Sequence, residues 1–348
     1  MKKVDVIFPA YINATIGPTG TLKRLLANKE YIANRGYEFR VFTYDFLKSN
    51  GNAETVDYSK GLTFRSKVKN LIKKGSLFTI LFLKRKQKIA EKLVKLYAAQ
   101  NRNADIVVFH ETDACYAYLK HVKSDAKLVC FFHSNGRRFD MLLQSFPTLK
   151  HSFYRKVLDR RFDFVLRGLD RYAFIAKIGQ ENFLQENPWV DRSKTVFFHN
   201  GIDDKAILPK ERKDAFAYHL CTTGTVCQRK GQYLIIEAIN RLESVLKKQI
   251  HLSLFGSGPV LGILEERVKD YGMENQVTFY GNVPNSEIHE KLCQEDIFIL
   301  MSNNEGLPIS IIEAMRAGLP IISTPIAGIP EQVEPLFNGL LVEPDVEK

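Results

Sequence analysis

Short apolar runs alternate with stretches of helical spacing along all 348 residues. In the first half the runs are Val4 to Ala10, Glu38 to Tyr44, Asp105 to Phe109, Lys127 to Phe132, Tyr172 to Ala176 and Thr195 to Phe198. In the second half they are Tyr218 to Thr222, Ile250 to Phe255, Gln276 to Tyr280, Ile297 to Met301, Pro320 to Thr324 and Gly339 to Val342. Brief runs that are mostly apolar suit parallel strands buried on both faces. Between them, stretches such as Gly231 to Leu246 and Val260 to Tyr271 repeat apolar residues at helical spacing. The alternation predicts an α/β protein with two sets of parallel strands joined by helices. Asn200 to Asp214 separates the sets. It is polar, charged and contains Pro209, as a linker should be, and places a domain boundary near 205–215. The start, MKKVDVIFPAY, has the charged opening of a secretory leader. Its apolar run is too short and a loop follows, so it reads as a first strand.

Composition is that of a globular protein, 45% hydrophobic and 26% charged. The chain is long enough for two domains, each with its own core. The five cysteines, at 115, 130, 221, 227 and 293, show no C-x-x-C spacing, and several lie in apolar runs. They read as reduced core residues of a cytoplasmic protein.

Candidate chemistry gathers in Ser302 to Gly318, SNNEGLPISIIEAMRAG. The order there is strand, polar loop, helix, strand, so the loop lies at a strand's C-terminal end. Open α/β sheets bind ligands at such ends. Gly306 and Pro308 suit a tight entry to a helix whose first N–H groups attract anions. Glu313 falls about two helical turns beyond Glu305, which lets both carboxylates face one cavity. Glycine turns follow two other strands. Gly17-Pro-Thr-Gly20 precedes a helix expected from Thr21, and Gly224 to Gly231 carries Arg229 and Lys230. Two histidines, His110 and His133, end strands on one sheet edge.

Four motifs in this order resemble the donor-site signature of the GT4 family (glycosyl transferase group 1). They are E-G-L-P at 305–308, E-A-M-x-x-G-x-P at 313–320, Gly-Ile-Pro-Glu at 328–331 and Asn338-Gly-Leu-Leu341. That family comprises retaining, nucleotide-sugar-dependent glycosyltransferases of GT-B architecture, two facing Rossmann-like domains with parallel sheets. The resemblance implies an acceptor-side domain over 1–205 and a donor-binding domain over 206–348. HNGID at 199–203 resembles the turn that ends the family's first domain. The activity implied is hexosyl transfer from a nucleotide diphosphate sugar, more readily UDP-linked than not. The acceptor implied is lipid-linked or a saccharide, in surface polysaccharide or glycolipid synthesis, with no metal or other cofactor.

The same resemblance distributes roles. Gly224 to Gly231 matches the family's G-R-x-x-x-x-K-G loop in length, which puts Lys230 on the diphosphate-binding lysine. Thr225 stands where the family has arginine, and Arg229 is the candidate substitute. Glu305 would hold donor sugar hydroxyls, with Gly306 and Leu307 beside it, and Glu313 the ribose. His133 would position the acceptor, and His110 belongs to a related loop one strand earlier. Gly20 would lie near the donor phosphate. Gly256, in the G-S-G-P turn, either lets backbone pass the nucleotide or serves only as a turn. Family members usually continue beyond the point reached at Lys348, so their crossing C-terminal helix is expected to be missing. Two rivals share the fold. One is a non-catalytic nucleotide-sugar-binding protein, favoured by Thr225 and the short C-terminus. The other is a nucleotide-sugar epimerase, which would not carry E-G-L-P.

Charge adds a second feature. The net charge of +11 is local: residues 61–100 carry eleven basic and one acidic residue, and 137–171 carry nine and four. SLFTILFL at 76–83 lies between Lys73-Lys74 and Lys84-Arg85-Lys86. Eight residues cannot span a bilayer, whereas a basic helix with an apolar face can lie on an anionic surface. FYRKVLDRRFDFVLRGLDRYAF at 153–174 mixes aromatic and basic residues in the same way. The alternative is a core helix with a solvated basic face. Nucleic acid is not expected as a partner, since no base-reading module is present. The expected location is cytoplasmic, with peripheral attachment to the inner membrane face.

Overall fold

The computed structural model describes residues 1–11, 17–48, 76–100, 103–211 and 215–344. The chain divides by contacts into two units. One is Met1–Ile175 with Gln180–Phe198, the other Ala176–Gly179 with His199–Lys348. The division comes at 198/199, before the polar linker, because the next two residues bond into the second unit. His199 Nε2 lies 2.8 Å from Glu331, and Asn200 Nδ2 donates to the Leu307 carbonyl at 2.9 Å.

The first unit holds β1 (Lys2–Ile7), β2 (Tyr37–Phe42), β3 (Ile106–Phe109), β4 (Lys127–Phe132), β5 (Arg171–Phe174) and β6 (Thr195–Phe197). They pair in the order β2-β1-β3-β4-β5-β6, all parallel. The helices before β7 are α1 (Gly17–Ala27), α2 (Lys29–Asn34), α3 (Tyr44–Lys48), α4 (Ser76–Ala99), α5 (Thr112–His121), α6 (Asp140–Ser145), α7 (Phe153–Gly168) and α8 (Lys177–Glu186). Ile7, Phe109 and Phe174 of the sheet pack with Leu93 and Tyr97 of α4 and with Val165 and Leu166 of α7. Asp5, fully buried in β1, is compensated by Arg40 Nε at 2.5 Å and the Tyr97 hydroxyl at 2.7 Å, as a buried charge must be.

The second unit holds β7 (Tyr218–Thr223), β8 (Ile250–Phe255), β9 (Val277–Gly281), β10 (Ile297–Leu300), β11 (Ile321–Ser323) and β12 (Gly339–Leu341). Its helices are α9 (Gln232–Arg241), α10 (Ser244–Lys247), α11 (Leu261–Asp270), α12 (Ile288–Cys293) and α13 (Ile309–Arg316). The order is β12-β11-β10-β7-β8-β9, again all parallel. Strand order therefore reverses between β7 and β10. That is the switch point at which doubly wound sheets leave room for a ligand beyond the strand ends.

Each of the twelve expected runs carries a strand, with ends within three residues. One local expectation fails. Helix α1 already begins at Gly17, so Gly20 lies in its first turn and not in a turn before it. The basic residues of 61–75, Lys73 and Lys74 among them, fall outside the described residues, as do 212–214 of the linker and 345–348. All five cysteines are free, four of them buried. Among the described residues no helix is long and apolar enough to cross a membrane.

Candidate active site

In the second unit, two loops meet at the switch point. After β7 the chain runs through Gly224 to Gly231, turns once at Gln228–Lys230, and enters α9. After β10 it runs from Met301 to Pro308 and enters α13. Gly231 has a left-handed φ of 69°, and a Cβ there would sit 1.9 Å from the Met301 carbonyl oxygen. Only glycine permits both the conformation and the approach. The Asn303 N–H also donates to the Arg229 carbonyl at 2.9 Å. The lysine and arginine are thus held beside the loop that carries Glu305.

Three donors converge on one oxygen of that carboxylate. Arg229 Nη1 lies 2.7 Å, Lys230 Nζ 2.8 Å and the Ser302 hydroxyl 2.8 Å from Glu305 Oε1. Arg229 also donates to the Asn304 carbonyl at 2.6 Å. Lys230 and Glu305 are buried and Arg229 half-buried. Burial pushes the Glu305 carboxyl upward, but the charge of Lys230, then that of Arg229 and the hydrogen bonds more than offset it. It therefore sits below the usual carboxylate range and is ionised at neutral pH. Two cations face one carboxylate, which leaves one positive charge at the switch point for an anion.

Ser302 escaped the sequence reading. It is fully buried just after β10, and its carbonyl accepts from the Thr324 hydroxyl at 2.6 Å. A hydroxyl at the second loop position after a central strand is the one signal that marks it. Gly306 and Leu307 are buried beyond Glu305. The Gly306 carbonyl accepts from the Gly328 N–H at 2.9 Å, which ties E-G-L-P to G-I-P-E. Glu313 lies half-buried in α13, two turns further on. Glu331 accepts from the N–H groups of Lys177 and Ile178 at 2.8 and 2.7 Å. Gly256 owes its lack of a side chain to protein backbone: a Cβ there would meet the Gly224 carbonyl at 1.9 Å. Thr225 carries no charge to this place, and Arg229 brings the guanidinium.

In the first unit, the structure brings the two expected histidines together. His110 Nδ1 and His133 Nε2 are 2.7 Å apart at the ends of the adjacent strands β3 and β4. The rings stack on each other and His110 on Phe131, with centroids 5.0 and 5.3 Å apart. Burial pushes His110 down to about 3, helped by its neighbour, and burial pushes His133 down to about 4. Both are neutral at pH 7, so one ring donates the shared proton and the other accepts it. Glu111, the next residue, accepts from the Ala114 N–H at 3.0 Å and caps α5. Gly20 has open space around it. Among the described residues no three His, Cys, Asp or Glu side chains are grouped to hold a metal.

Comparison with known proteins bears on these sites. Residues 21–206 match the family model Glycosyltransferase Family 4, and residues 203–348 match Glycosyl transferases group 1. The chain belongs to the GT4-type glycosyltransferases. It is 30% identical over 161 residues to the putative colanic acid biosynthesis glycosyltransferase WcaL of Escherichia coli, covering 43% of this chain and 39% of that protein. It is 26% identical over 249 residues to a phosphatidylinositol N-acetylglucosaminyltransferase subunit from Arabidopsis thaliana, covering 70% of this chain and 53% of that one. These matches thus span about two fifths and about half of the relatives' lengths. Among solved structures, sucrose-phosphate synthase from Thermosynechococcus elongatus aligns over 100% of this chain and 87% of its own, with TM-score 0.72 and 18% identity. Anabaena HepE in complex with UDP aligns over 99% and 86%, with TM-score 0.62 and 17% identity. Both share the GT-B fold.

Proposed function

We propose that this chain transfers a sugar, with retention of configuration, from a UDP-linked donor to a hydroxyl of a lipid-linked or saccharide acceptor in surface polysaccharide or glycolipid assembly. The observation that carries the reading is the cation pair on Glu305 at the switch point of the second sheet. A nucleotide sugar loses a diphosphate as the glycosidic bond breaks, and preorganised cations stabilise the charge that develops there. Lys230 and Arg229 take the diphosphate and need no metal to do so. Glu305, relieved of part of its pairing, holds donor sugar hydroxyls, and Glu313 holds the ribose. The leaving phosphate accepts the proton of the incoming hydroxyl on the same face of the sugar. His133, oriented by its bond to His110, positions the acceptor. A neutral imidazole can accept a hydrogen bond from a hydroxyl, whereas an imidazolium cannot.

The names of the relatives support the acceptor class. Three are named for colanic acid or amylovoran biosynthesis, and two for N-acetylglucosaminyl transfer involving phosphatidylinositol. The basic segment within 61–100 holds the enzyme by charge at an anionic membrane face, where lipid-linked acceptors reside.

A thermal-shift screen of nucleotide diphosphate sugars tests the donor. A ligand that binds only the folded state raises its stability by a logarithmic increment. The expected result is a shift with UDP and a larger one with the UDP-sugar used. No shift with any nucleoside diphosphate would sink the reading, and a shift without donor hydrolysis or transfer would reduce it to binding.

A further inference from the structure

Helix α4 is apolar on both faces at its start. Ile80 and Leu83 are buried against Leu149, Tyr154 and Leu158, and further along Leu93, Val94 and Tyr97 enter the main core. On the opposite side Leu77, Phe78 and Leu81 are exposed to 65, 51 and 54%. The start of α7 packs against α4 a turn or two further on: the Tyr154 hydroxyl donates to Gln87 at 3.0 Å, and Lys84 Nζ lies 5.9 Å from its ring centre. The adjoining Phe153 is exposed to 75%, and Val157 one turn on is exposed as well. Lys84, Arg85 and Lys88 continue the outer side of α4, and Lys156 flanks Phe153; all four are exposed. Single exposed apolar residues are ordinary, but several large ones grouped beside a row of cations are not.

We propose that these starts of α4 and α7 form a membrane-docking face. Leu77, Phe78, Leu81 and Phe153 enter the boundary between headgroups and acyl chains of a bilayer containing anionic lipid, while Lys84, Arg85, Lys88 and Lys156 pair with its headgroups. The proposal rests on the membrane reading above and deepens it, because charge attraction alone requires no apolar insertion. Charge complementarity decides the occupant. Among the described residues of α4 the one acidic side chain is Glu91, which is already held by Lys95 and His121 at 2.7 and 3.0 Å. The apolar tip spans little more than one helical turn, enough for the interface and too little for a span.

Vesicle co-sedimentation of the full chain, with phosphatidylglycerol–phosphatidylcholine and with pure phosphatidylcholine, tests it. Wild type should bind the anionic vesicles and keep a measurable fraction bound at 1 M salt, where the screening length is about 3 Å and charge attraction is largely lost. Replacing Leu77, Phe78 and Leu81 together with serine should weaken binding about tenfold or more and abolish the salt-resistant fraction. Arg85→Glu with Lys88→Glu should remove the preference for anionic lipid and spare part of the salt-resistant fraction. Thermal shift with UDP confirms that each variant is folded and reads the donor site separately. Equal binding by the serine variant and wild type would overturn insertion and leave the charge reading standing. No binding by wild type at low salt would overturn both membrane statements without touching the donor reading. A change in oligomeric state of the serine variant by light scattering, with vesicle binding intact, would give the face to a second copy of the chain and overturn the proposal.

Discussion

The strand-end clusters of the two units are built alike, yet one is charged and the other neutral. In each, side chains after neighbouring parallel strands meet beyond the sheet, and burial acts against any charge there. In the second unit burial is outweighed: Lys230 and Arg229 keep Glu305 ionised, and the cluster retains a net positive charge. In the first unit nothing outweighs it. Among the described residues His110 and His133 bond each other and stack on aromatic rings, and both are driven neutral. Depth of burial therefore does not decide protonation at a strand end; the partners the neighbouring loop supplies do. One cluster suits an anion, the other a neutral hydroxyl.

Removing the charge partner should break the comparison most sharply. Glu305→Ala leaves two cations without their carboxylate and should destabilise the second unit by about 3 kcal/mol, read by calorimetry. Glu305→Gln should cost less, lower turnover, and leave UDP affinity equal or higher, because the cations are released to the diphosphate. Weaker UDP binding in a folded Glu305→Gln variant would show that Glu305 itself touches the nucleotide. Lys230→Ala should lower turnover about a hundredfold, the scale of losing one preorganised charge stabiliser. Activity within a few-fold of wild type would mean that Arg229 alone meets the phosphate.

The neutral cluster is sharpened by pH. Both histidines have folded values far below the ordinary 6.5, so the unfolded chain binds more protons as pH falls below that value, and stability falls with it. At pH 5 the loss is about 2 kcal/mol per histidine relative to pH 7. Glu111, pushed up to about 7 by burial foremost, acts in the opposite direction over the same window, and Asp113, also raised by burial, has the same sign. The informative quantity is therefore the difference between wild type and a His110→Phe/His133→Phe variant, which should favour the variant increasingly from pH 7 to 5. Glu305 contributes nothing there: its stabilisation is present above the ordinary carboxylate value and is lost only as pH falls through its lowered one. Parallel curves would place charge on the histidines in the fold. The smallest effect expected is Ser302→Ala. Loss of one hydrogen bond to a charged group should cost about 1.5 kcal/mol of stability and raise KM for the donor more than it lowers kcat. An unchanged KM would confine Ser302 to the fold.

Much of the architecture is legible before any coordinates. Parallel strands buried on both faces must be short apolar runs, so β4 and β8 run Lys127–Phe132 and Ile250–Phe255 just as the pattern implies. Motif spacing places Lys230 in a turn after a strand, Glu305 before a helix and Glu313 inside it, because these are local events. The start of α1 departs from its local pattern for a matching reason. Glycines weaken a helix locally, yet Gly17 and Gly20 lie within its first turns, where the helix carries the cost.

By itself, then, the sequence determined the period of its elements, the two sets of strands, the family, and which loops carry charge. Tertiary structure alone decided what those charges meet. Arg229 and Glu305 are 76 positions apart and join only because β7 and β10 are neighbours in the sheet. The same holds for the apolar start of α4, whose residues look alike along the chain. Packing against Tyr154 and Leu158 assigns Ile80 and Leu83 to the core and leaves Leu77, Phe78 and Leu81 outside. Pattern along a chain reports propensity and period, whereas the partner of a charge and the covered side of a helix are set by neighbours remote in sequence.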